Sequence, residues 1–313
     1  MEGWKRNLTE LSLQDLRGSR SRHRRERLIG VLFGSAAVFS VVISVAIVLS
    51  LLGGAIDFLG KVDLGTLLDD GWFPRRNMFG VPTILMGTLL VSVVAMAVAA
   101  PLGLGAAMYL SEYATRRSRR FLKPILETLA SIPSVVMGFF ALRFISPELV
   151  QRFLGADSLF NITAAGIAVG LLVTPLVASV AEDAMHSVPG AMREASVGLG
   201  ARRRTTTIRV VFPAAISGVM AALILGISRA IGETMVVAIA AGGTGGSFFT
   251  TNVLGPGQTM TAAMTSLATG SDQVRAAGPA YPSLFFVGLL LFALTLVLNL
   301  LSERVVRRFR RAY

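Results

Sequence analysis

Cysteine is absent from the 313 residues of this sequence, histidine occurs twice, and only 15% of the residues are charged. Without cysteine the chain can form no disulfide, use no thiolate nucleophile and hold no thiolate-ligated metal. The two histidines, His23 and His186, are far apart in the sequence, so no histidine cluster suggests a metal site. We therefore predict neither catalytic residues nor a metal site in this chain.

Lysine is also scarce, and its three occurrences lie outside any phosphate-binding motif. None of Lys5, Lys61 and Lys123 belongs to a G-x-x-x-x-G-K-[ST] pattern, the glycine-rich loop that holds nucleotide phosphates. If the protein's activity depends on ATP, another polypeptide must bind the nucleotide. The chain is therefore not predicted to be an enzyme, and no cofactor is expected within it.

Apolar residues, in contrast, make up 53% of the chain and fall in long runs. A helix that crosses a bilayer needs about 20 mostly apolar residues. Six runs meet this requirement, at residues 28–56, 78–111, 121–142, 159–181, 210–241 and 281–301. They predict an all-α integral membrane protein with six transmembrane helices. Pro101, Gly103 and Gly105 are expected to bend or end the second span.

The distribution of positive charge predicts the orientation of these spans. Of the 30 Lys and Arg residues, 23 lie in the N-terminal tail, the loops after the second and fourth spans, and the C-terminal tail, whereas the alternate loops hold six. Cytoplasmic segments of membrane proteins carry such an excess, so both termini are predicted to be cytoplasmic. A basic tail beside a span favours an orientation signal that also attracts anionic membrane lipid. We predict no nucleic-acid partner.

The predicted organisation follows from these assignments. It consists of a basic tail at 1–27, a first transmembrane helix at 28–56, an extracytoplasmic loop at 57–77, a core at 78–302 that contains a long cytoplasmic loop at 182–213, and a basic tail at 303–313. Two further outer loops are predicted at 143–158 and 242–280. The net charge of +12 then reflects membrane topology more than an acidic partner in solution.

The loop at 182–213 has the signals of a short helix. Ser187 and Pro189 suggest where this helix begins, since both residue types are common at helix starts. It would present a small, partly polar surface formed by Glu194, Ala195 and Ser196. Spacing alone leaves two interpretations open. The helix either docks into a groove of a partner protein or is a connector packed on its own chain.

Residues of this loop also match a known pattern. Glu194, Ala195 and Ser196 are followed after three residues by Gly200, and after nine more by the sequence V-V-F-P that ends at Pro213. This resembles the EAA loop of ABC importer permeases, with the pattern E-A-A, three residues, G, nine residues, I-x-L-P. Ser196, Val210 and Phe212 depart from it. The resemblance implies a type I ABC importer permease fold, with residues 189–201 forming a coupling helix. It assigns ATPase coupling to Glu194, Ala195, Ser196, Gly200 and Pro213.

Three further segments, at 87–114, 123–142 and 226–243, resemble the permeases of phosphate-specific importers. The sequence R-A-I-G-E-T-M in the last segment is more similar to their C-type subunit than to their A-type subunit. The resemblance implies one permease subunit of the plasma or inner membrane that works by alternating access. It also implies the partners, namely a second permease, two ATPase subunits that bind ATP and magnesium, an extracytoplasmic phosphate-binding protein and inorganic phosphate.

Two ionisable residues, Arg229 and Glu233, lie within the fifth predicted span. Such residues are costly in a membrane and usually face the bundle interior, a partner or a water-filled path. At a spacing of four they share one face of a continuous helix. One interpretation is a neutralising pair that only holds neighbouring helices. The other is that Arg229 attracts a passing phosphate and Glu233 prevents the anion from being trapped.

Other functions remain as alternatives at this point. Within the same superfamily, the chain could be a permease for another oxyanion, such as molybdate or sulfate. An ion-coupled secondary transporter would be expected to show repeat symmetry with paired broken helices, and the EAA-like loop would then lack a purpose. A membrane enzyme is disfavoured by the absence of cysteine and of a histidine cluster.

Overall fold

The structure, a computed structural model, describes residues 20–242, 246–270 and 278–309. The chain divides into two compact units, with the boundary after Leu51. The described residues of the first unit belong to helix α1 (Arg20–Lys61), and most of their large apolar side chains are exposed. Helix α1 thus begins inside the predicted tail at 1–27. Residues 1–19 of that tail, and 310–313 of the other, lie outside the described ranges.

The second unit is predominantly helical. Its helices after α1 are α2 (Val81–Met108), α3 (Arg116–Leu129), α4 (Ser134–Phe140), α5 (Arg152–Leu154), α6 (Ile162–His186), α7 (Gly190–Gly198), α8 (Arg203–Thr206), α9 (Phe212–Ala214), α10 (Ile216–Ile231), α11 (Met235–Ala240), α12 (Met260–Thr269) and α13 (Ala280–Phe309). π-Helical segments continue α2 over Tyr109–Tyr113, α4 over Ala141–Gln151 and α8 over Thr207–Val211. Three short strands, β1 (Gly71–Phe73), β2 (Met78–Phe79) and β3 (Ser247–Phe248), form an antiparallel sheet in the order β2-β1-β3.

Five helical stretches of the described chain are long and apolar enough to cross a membrane, and a bent helix pair supplies a sixth if it is counted as one span. The five are Arg25–Lys61, Val81–Tyr113, Ser134–Leu154, Ile162–His186 and Ala280–Arg304, and the pair is Arg203–Ala214 with Ile216–Ile231. The prediction of a helical membrane protein with six spans is therefore confirmed. The third and fifth spans differ in detail from the runs read in the sequence.

Helices α2 and α6 form the centre of the second unit and approach each other closely. A Cβ atom added to Gly170 of α6 would lie 2.6 Å from the backbone oxygen of Ala95 in α2. Small residues permit such close packing between helices in a membrane. Helix α2 continues past Pro101 to Met108, so, of the two effects predicted for Pro101, Gly103 and Gly105, ending the helix is wrong. Gly103 instead admits α6, because an added Cβ would lie 2.8 Å from Val177.

Gly87 is expected to be a sensitive position in α2. A Cβ atom there would lie 2.2 Å from the backbone oxygen of Gln258, so Gly87→Ala should lower the free energy of unfolding by about 1–3 kcal/mol through overpacking. The matched control is Gly105→Ala in the same helix, where no atom lies within 4 Å of the added Cβ. Thermal unfolding in detergent should show a lower Tm for Gly87→Ala only. Equal Tm values would contradict this packing.

The predicted run at 121–142 is not one helix, because α3 ends at Leu129 and the third span is Ser134–Leu154, formed by α4, its π-helical continuation and α5. Lys123 Nζ donates to Glu182 at 2.7 Å near the end of α6, and Ser146 Oγ donates to the Leu159 carbonyl at 2.6 Å just before α6 begins. Residues 123–146 therefore run along the full length of α6, with an interruption at 130–133 before α4 starts. The predicted outer loop at 143–158 is wrong over 143–154. These residues are helical although charged side chains are exposed on them.

The fifth span is interrupted twice, although 210–241 reads as one apolar run. The first break follows Pro213, at Ala215, where α9 and α10 meet at a bend of 73°. The second break separates α10 from α11 at residues 232–234. The expectation that Arg229 and Glu233 share one face of a continuous helix is therefore wrong. Glu233 lies in the second break, and only Arg229 is helical.

The outer segments contain more structure than loops. Within 57–77, Trp72 is buried and packs edge-on against Phe79, with ring centroids 5.8 Å apart. Within the described part of 242–280, the predicted outer segment contains α12, most of whose residues are buried. Its ten residues are too few to cross a bilayer. Thr259 caps its start by accepting a hydrogen bond from the Ala262 N–H.

Candidate functional site

Helix α7 and the turn after it contain most of the EAA-like residues. Helix α6 ends at His186, and α7 follows Pro189 and ends at Gly198, as the sequence predicts. Gly200 has a φ of +81°, a conformation that glycine adopts without the steric cost of a side chain. Its N–H donates to the Val197 carbonyl at 2.8 Å. The turn therefore favours glycine at the position that the pattern assigns to it.

The outer face of α7 is not covered by the described part of the chain. Glu194 and Ala195 are exposed, and the aliphatic side chains of Val197 and Leu199 are 60% and 90% exposed. Ser196 is half-buried, with its Oγ 2.9 Å from Thr206 Oγ1. An acidic residue beside exposed aliphatic ones is a composition typical of a surface that binds another protein. Glu194 and Ala195 thus share one accessible surface, while Ser196 also holds the helix to α8.

Pro213 does not belong to this surface. It is exposed in the short helix α9, immediately before the bend that leads into α10. Proline has no N–H to donate to a preceding carbonyl, which disfavours continuation of a helix, and the helical stretch Arg203–Ala214 ends one residue after Pro213. The structure therefore places four of the five EAA-like residues at α7 and its turn, and the fifth at the entry to the fifth span.

Arg193 holds α7 to two other elements. Its Nη2 atom donates to Glu112 Oε1 at 2.9 Å and to the Met185 carbonyl at 2.8 Å, and its Nη1 atom donates to the Val188 carbonyl. Glu112 is 8% exposed and lies in the π-helical continuation of α2. One guanidinium group thus joins α7, the end of α6 and the end of α2. We call this end of the second unit, where α6 ends and α7 lies, the α7 end.

A second set of charged contacts lies at the α7 end and joins α3 to α6. The carboxylate of Glu182 is fully buried and accepts hydrogen bonds from Arg119 and Lys123. Lys123 Nζ also donates to Asp183 Oδ1 at 2.8 Å, and Arg119 Nη1 is 3.1 Å from His186 Nδ1. Two cations around a buried carboxylate satisfy its charge. The end of α6 is therefore connected by charged side chains to α2, α3 and α7.

Arg229 and Glu233 remain paired although a helix break separates them. Arg229 Nη2 is 3.4 Å from Glu233 Oε2, and the side chains are 56% and 5% exposed respectively. The break is supported from α12, where Thr261 Oγ1 donates to the backbone carbonyl of Glu233 at 2.8 Å. Irregular backbone at membrane depth needs such partners for its polar groups. The guanidinium, by contrast, is largely uncovered by the described residues.

Helices α4 and α11 pack closely against each other. A Cβ atom on Gly138 of α4 would lie 3.0 Å from Ile239 of α11. Both helices run toward the start of α6, because Ser146 donates to Leu159 and Asn161 N–H donates to the Ala240 carbonyl. Counting back five residues along each chain reaches the two breaks.

Sequence reasoning missed Arg193 and Glu112 as a functional pair. They are 81 residues apart, and no local pattern connects them. The available signal was that Glu112 directly ends a long charge-free run and that Arg193 immediately precedes Glu194. Glu182 and Lys123 were likewise not paired in the sequence, because their contact depends on how α3 lies along α6.

Comparison with known proteins now assigns the family. The family model described as "Binding-protein-dependent transport system inner membrane component" matches residues 99–311. The chain belongs to this family. As a binding-protein-dependent transport permease it is a multi-pass protein of the inner membrane. Its family comprises the permease components of such systems, so the chain is not the catalytic subunit, and ATP hydrolysis takes place in partner subunits.

Individual relatives of this permease have similar lengths. "Phosphate transport system permease protein PstC" of Mesorhizobium japonicum is 28% identical over 88% of both chains. "Probable ABC transporter permease protein YqgH" of Bacillus subtilis is 34% identical over 67% of this chain and 69% of its own. "Phosphate transport system permease protein PstC 1" of Mycobacterium tuberculosis is 30% identical over 79% of this chain and 78% of its own.

Solved structures agree on the architecture of this permease. A chain of a bacterial alginate ABC transporter, in complex with an alginate pentasaccharide-bound periplasmic protein, has a TM-score of 0.66, with 15% identity over 92% of this chain and 96% of its own. A chain of the MetNI methionine ABC transporter in an inward-facing conformation has a TM-score of 0.51, with 18% identity over 72% and 92%. At these identities the likeness establishes the fold alone, which is that of type I ABC transporter permeases.

Proposed function

We propose that this permease is the C-type membrane subunit of an ATP-driven phosphate importer. The observation that carries the proposal is the set of relatives named as phosphate transport permeases, of which one matches 88% of both chains. The EAA-like spacing and the exposed surface of α7 support a role in coupling. Since the family belongs to binding-protein-dependent systems, the chain works in a transport complex.

The specific assembly we propose contains four kinds of partner. A second, A-type permease completes the membrane path, two ATPase subunits bind ATP and magnesium, and an extracytoplasmic protein delivers phosphate. Both termini and α7 face the cytoplasm, in keeping with the excess of Lys and Arg in those segments. The surface formed by Glu194, Ala195, Val197 and Leu199 binds an ATPase subunit, and ATP-driven movement of α7 reorients the spans.

Within the membrane, Arg229 supplies positive potential to the passing phosphate. Its guanidinium is 56% exposed in this chain, and arginine presents several donors in a fork that fits phosphate oxygens. Glu233 lowers the local positive charge, so that the anion is released and not retained. Conduction requires binding that is weak enough to permit exit.

Substrate and energy source are tested in one reconstituted system. The complex of this chain with its permease partner, ATPase and binding protein is placed in vesicles, and uptake of radiolabelled phosphate is measured with and without ATP. We expect uptake to require ATP and to be abolished by excess unlabelled phosphate but not by excess molybdate or sulfate. Competition by molybdate or sulfate would favour the other-oxyanion alternative. Uptake driven by an ion gradient without ATP would contradict an ATP-driven importer.

A further inference from the structure

We propose that Arg193 and Glu112 form the link through which movement of α7 is transmitted to the membrane helices. The pair, with the carbonyls of Met185 and Val188, is here called the α7 link. The inference rests on the proposed function, in which α7 meets an ATPase. It goes further by assigning positioning roles to two residues outside the EAA-like pattern.

The geometry of the α7 link is that of a rigid connection. Arg193 Nη2 is 2.9 Å from Glu112 Oε1, Nε is 3.3 Å from each carboxylate oxygen, and Nη2 is 2.8 Å from the Met185 carbonyl. The guanidinium is planar and its donors are fixed relative to one another. A displacement of α7 therefore moves the acceptors on α2 and α6 together. Lysine, as a single flexible point charge, cannot reproduce this arrangement.

Apolar packing accompanies this connection. Helix α7 contains no buried residue, and its partly buried Met192 packs against a cluster that includes Ala107 of α2 and Met185 of α6. A cavity of about 600 Å³ opens beside the link and is lined in part by Ser111, His186 and Val197. Beside this open space, α7 meets the end of α2 through the hydrogen bonds of Arg193 to Glu112 and through the packing of Met192.

Helices α2 and α6, which Arg193 contacts, pack against the helix that carries Arg229. Val91, Ala95 and Ala99 of α2 belong to the same buried cluster as Ala230 of α10, which is adjacent to Arg229. Helix α6 contributes its own residues to this cluster over much of its length. Packed helices shift as units because well-packed cores do not deform continuously. A displacement that enters through Glu112 and the end of α6 can thus reach the helix that carries Arg229.

The test measures coupling separately from assembly. The full transport complex is purified with wild-type chain, Arg193→Gln, Glu112→Gln or both substitutions, and placed in vesicles. ATP hydrolysis and phosphate import are measured in the same samples. We expect each single variant to retain the ATPase subunits and to hydrolyse ATP within about twofold of wild type, while phosphate imported per ATP falls at least about tenfold, the loss expected for a hydrogen bond to a charged group. The double variant should be no worse than either single variant, because all three break one link.

Control variants and the outcomes that would contradict the α7 link are as follows. Arg152→Gln and Glu148→Gln break an exposed ion pair between residues four apart and should leave the phosphate imported per ATP unchanged. Arg193→Lys should show the same low ratio of imported phosphate to ATP as Arg193→Gln. A normal ratio in Arg193→Gln, or a lower yield with a normal ratio in the surviving complex, overturns the α7 link. Loss of the ATPase subunits from Arg193→Gln alone also overturns it, since Arg193 would then serve docking. Failure of the wild-type chain to bind an ATPase would instead reject the proposed function.

Discussion

Reversing the charge of Glu194 is expected to abolish binding of the ATPase subunits to this permease. Glu194 is exposed on α7 beside Val197 and Leu199, so the partner would bury a carboxylate next to an apolar surface. An arginine at this position would be repelled by the positive group of the partner that pairs with the Glu194 carboxylate. Loss of a buried charge pair across an interface costs at least about 2–5 kcal/mol. Glu194→Arg should therefore weaken binding about thirtyfold or more.

The measurement is recovery of ATPase subunits with the tagged permease from solubilised membranes. The matched control is Glu148→Arg, the same substitution at an exposed position in the helical extension near the start of α6, which should bind normally. Because α7 has no buried residue, the variant should keep its fold and its Tm. Normal recovery of the ATPase with Glu194→Arg would show that α7 is a connector packed on its own chain, the interpretation that spacing alone left open.

Removing the guanidinium of Arg229 is expected to lower phosphate uptake at least about tenfold. In the proposed path this group makes charge-assisted hydrogen bonds to the anion, and each such bond contributes about 1.5–3 kcal/mol. Arg229→Gln should therefore raise the apparent KM or lower the maximal rate severely, and Arg229→Lys should restore part of the activity through its charge. Since the side chain is 56% exposed and lysine keeps a cation beside Glu233, Arg229→Lys should not lower the Tm of the purified protein.

Glu233→Gln separates the two interpretations of this pair. The amide occupies nearly the same volume as the carboxylate but removes its charge, leaving Arg229 without its counter-ion. In a substrate path, phosphate should then be held longer, so the maximal rate falls while the apparent KM does not rise. If the pair only holds helices together, the variant should have a lower Tm, because Glu233 is 5% exposed. Its uptake per folded complex should then stay normal. Uptake at the wild-type rate by both single variants, Arg229→Lys and Glu233→Gln, would exclude a role of the pair in the substrate path.

Particular elements show why the sequence predicts some features well. The six spans follow from apolar runs that need only length and hydropathy, and the boundaries of α7 follow from Pro189 and the glycines after it. These signals are local, so a single stretch of chain is sufficient to read them. The requirement for glycine at 200 is local as well, since it comes from the φ of one residue.

Other features depend on residues that meet only after folding. The break at 232–234 is supported by Thr261, which approaches from α12, and hydropathy alone reads the same stretch as one continuous span. The third span extends to Leu154, and Ser146 within it contacts the carbonyl of Leu159. Charged residues at 143–152 suggest a loop in the sequence, but in the structure they lie on the exposed face of a helix whose other face is buried.

By itself, the sequence determined that this is a cysteine-free, six-span membrane protein without its own ATP-binding loop, and it located the surface of α7 through the spacing of Glu194, Gly200 and Pro213. These properties depend on composition and on distances along the chain. Only the tertiary structure decided that Arg193 joins α7 to Glu112, that Lys123 pairs with Glu182, and that Glu233 lies in a helix break. Each of these is a contact between distant segments, which periodicity and composition do not encode because it is set by how the helices pack.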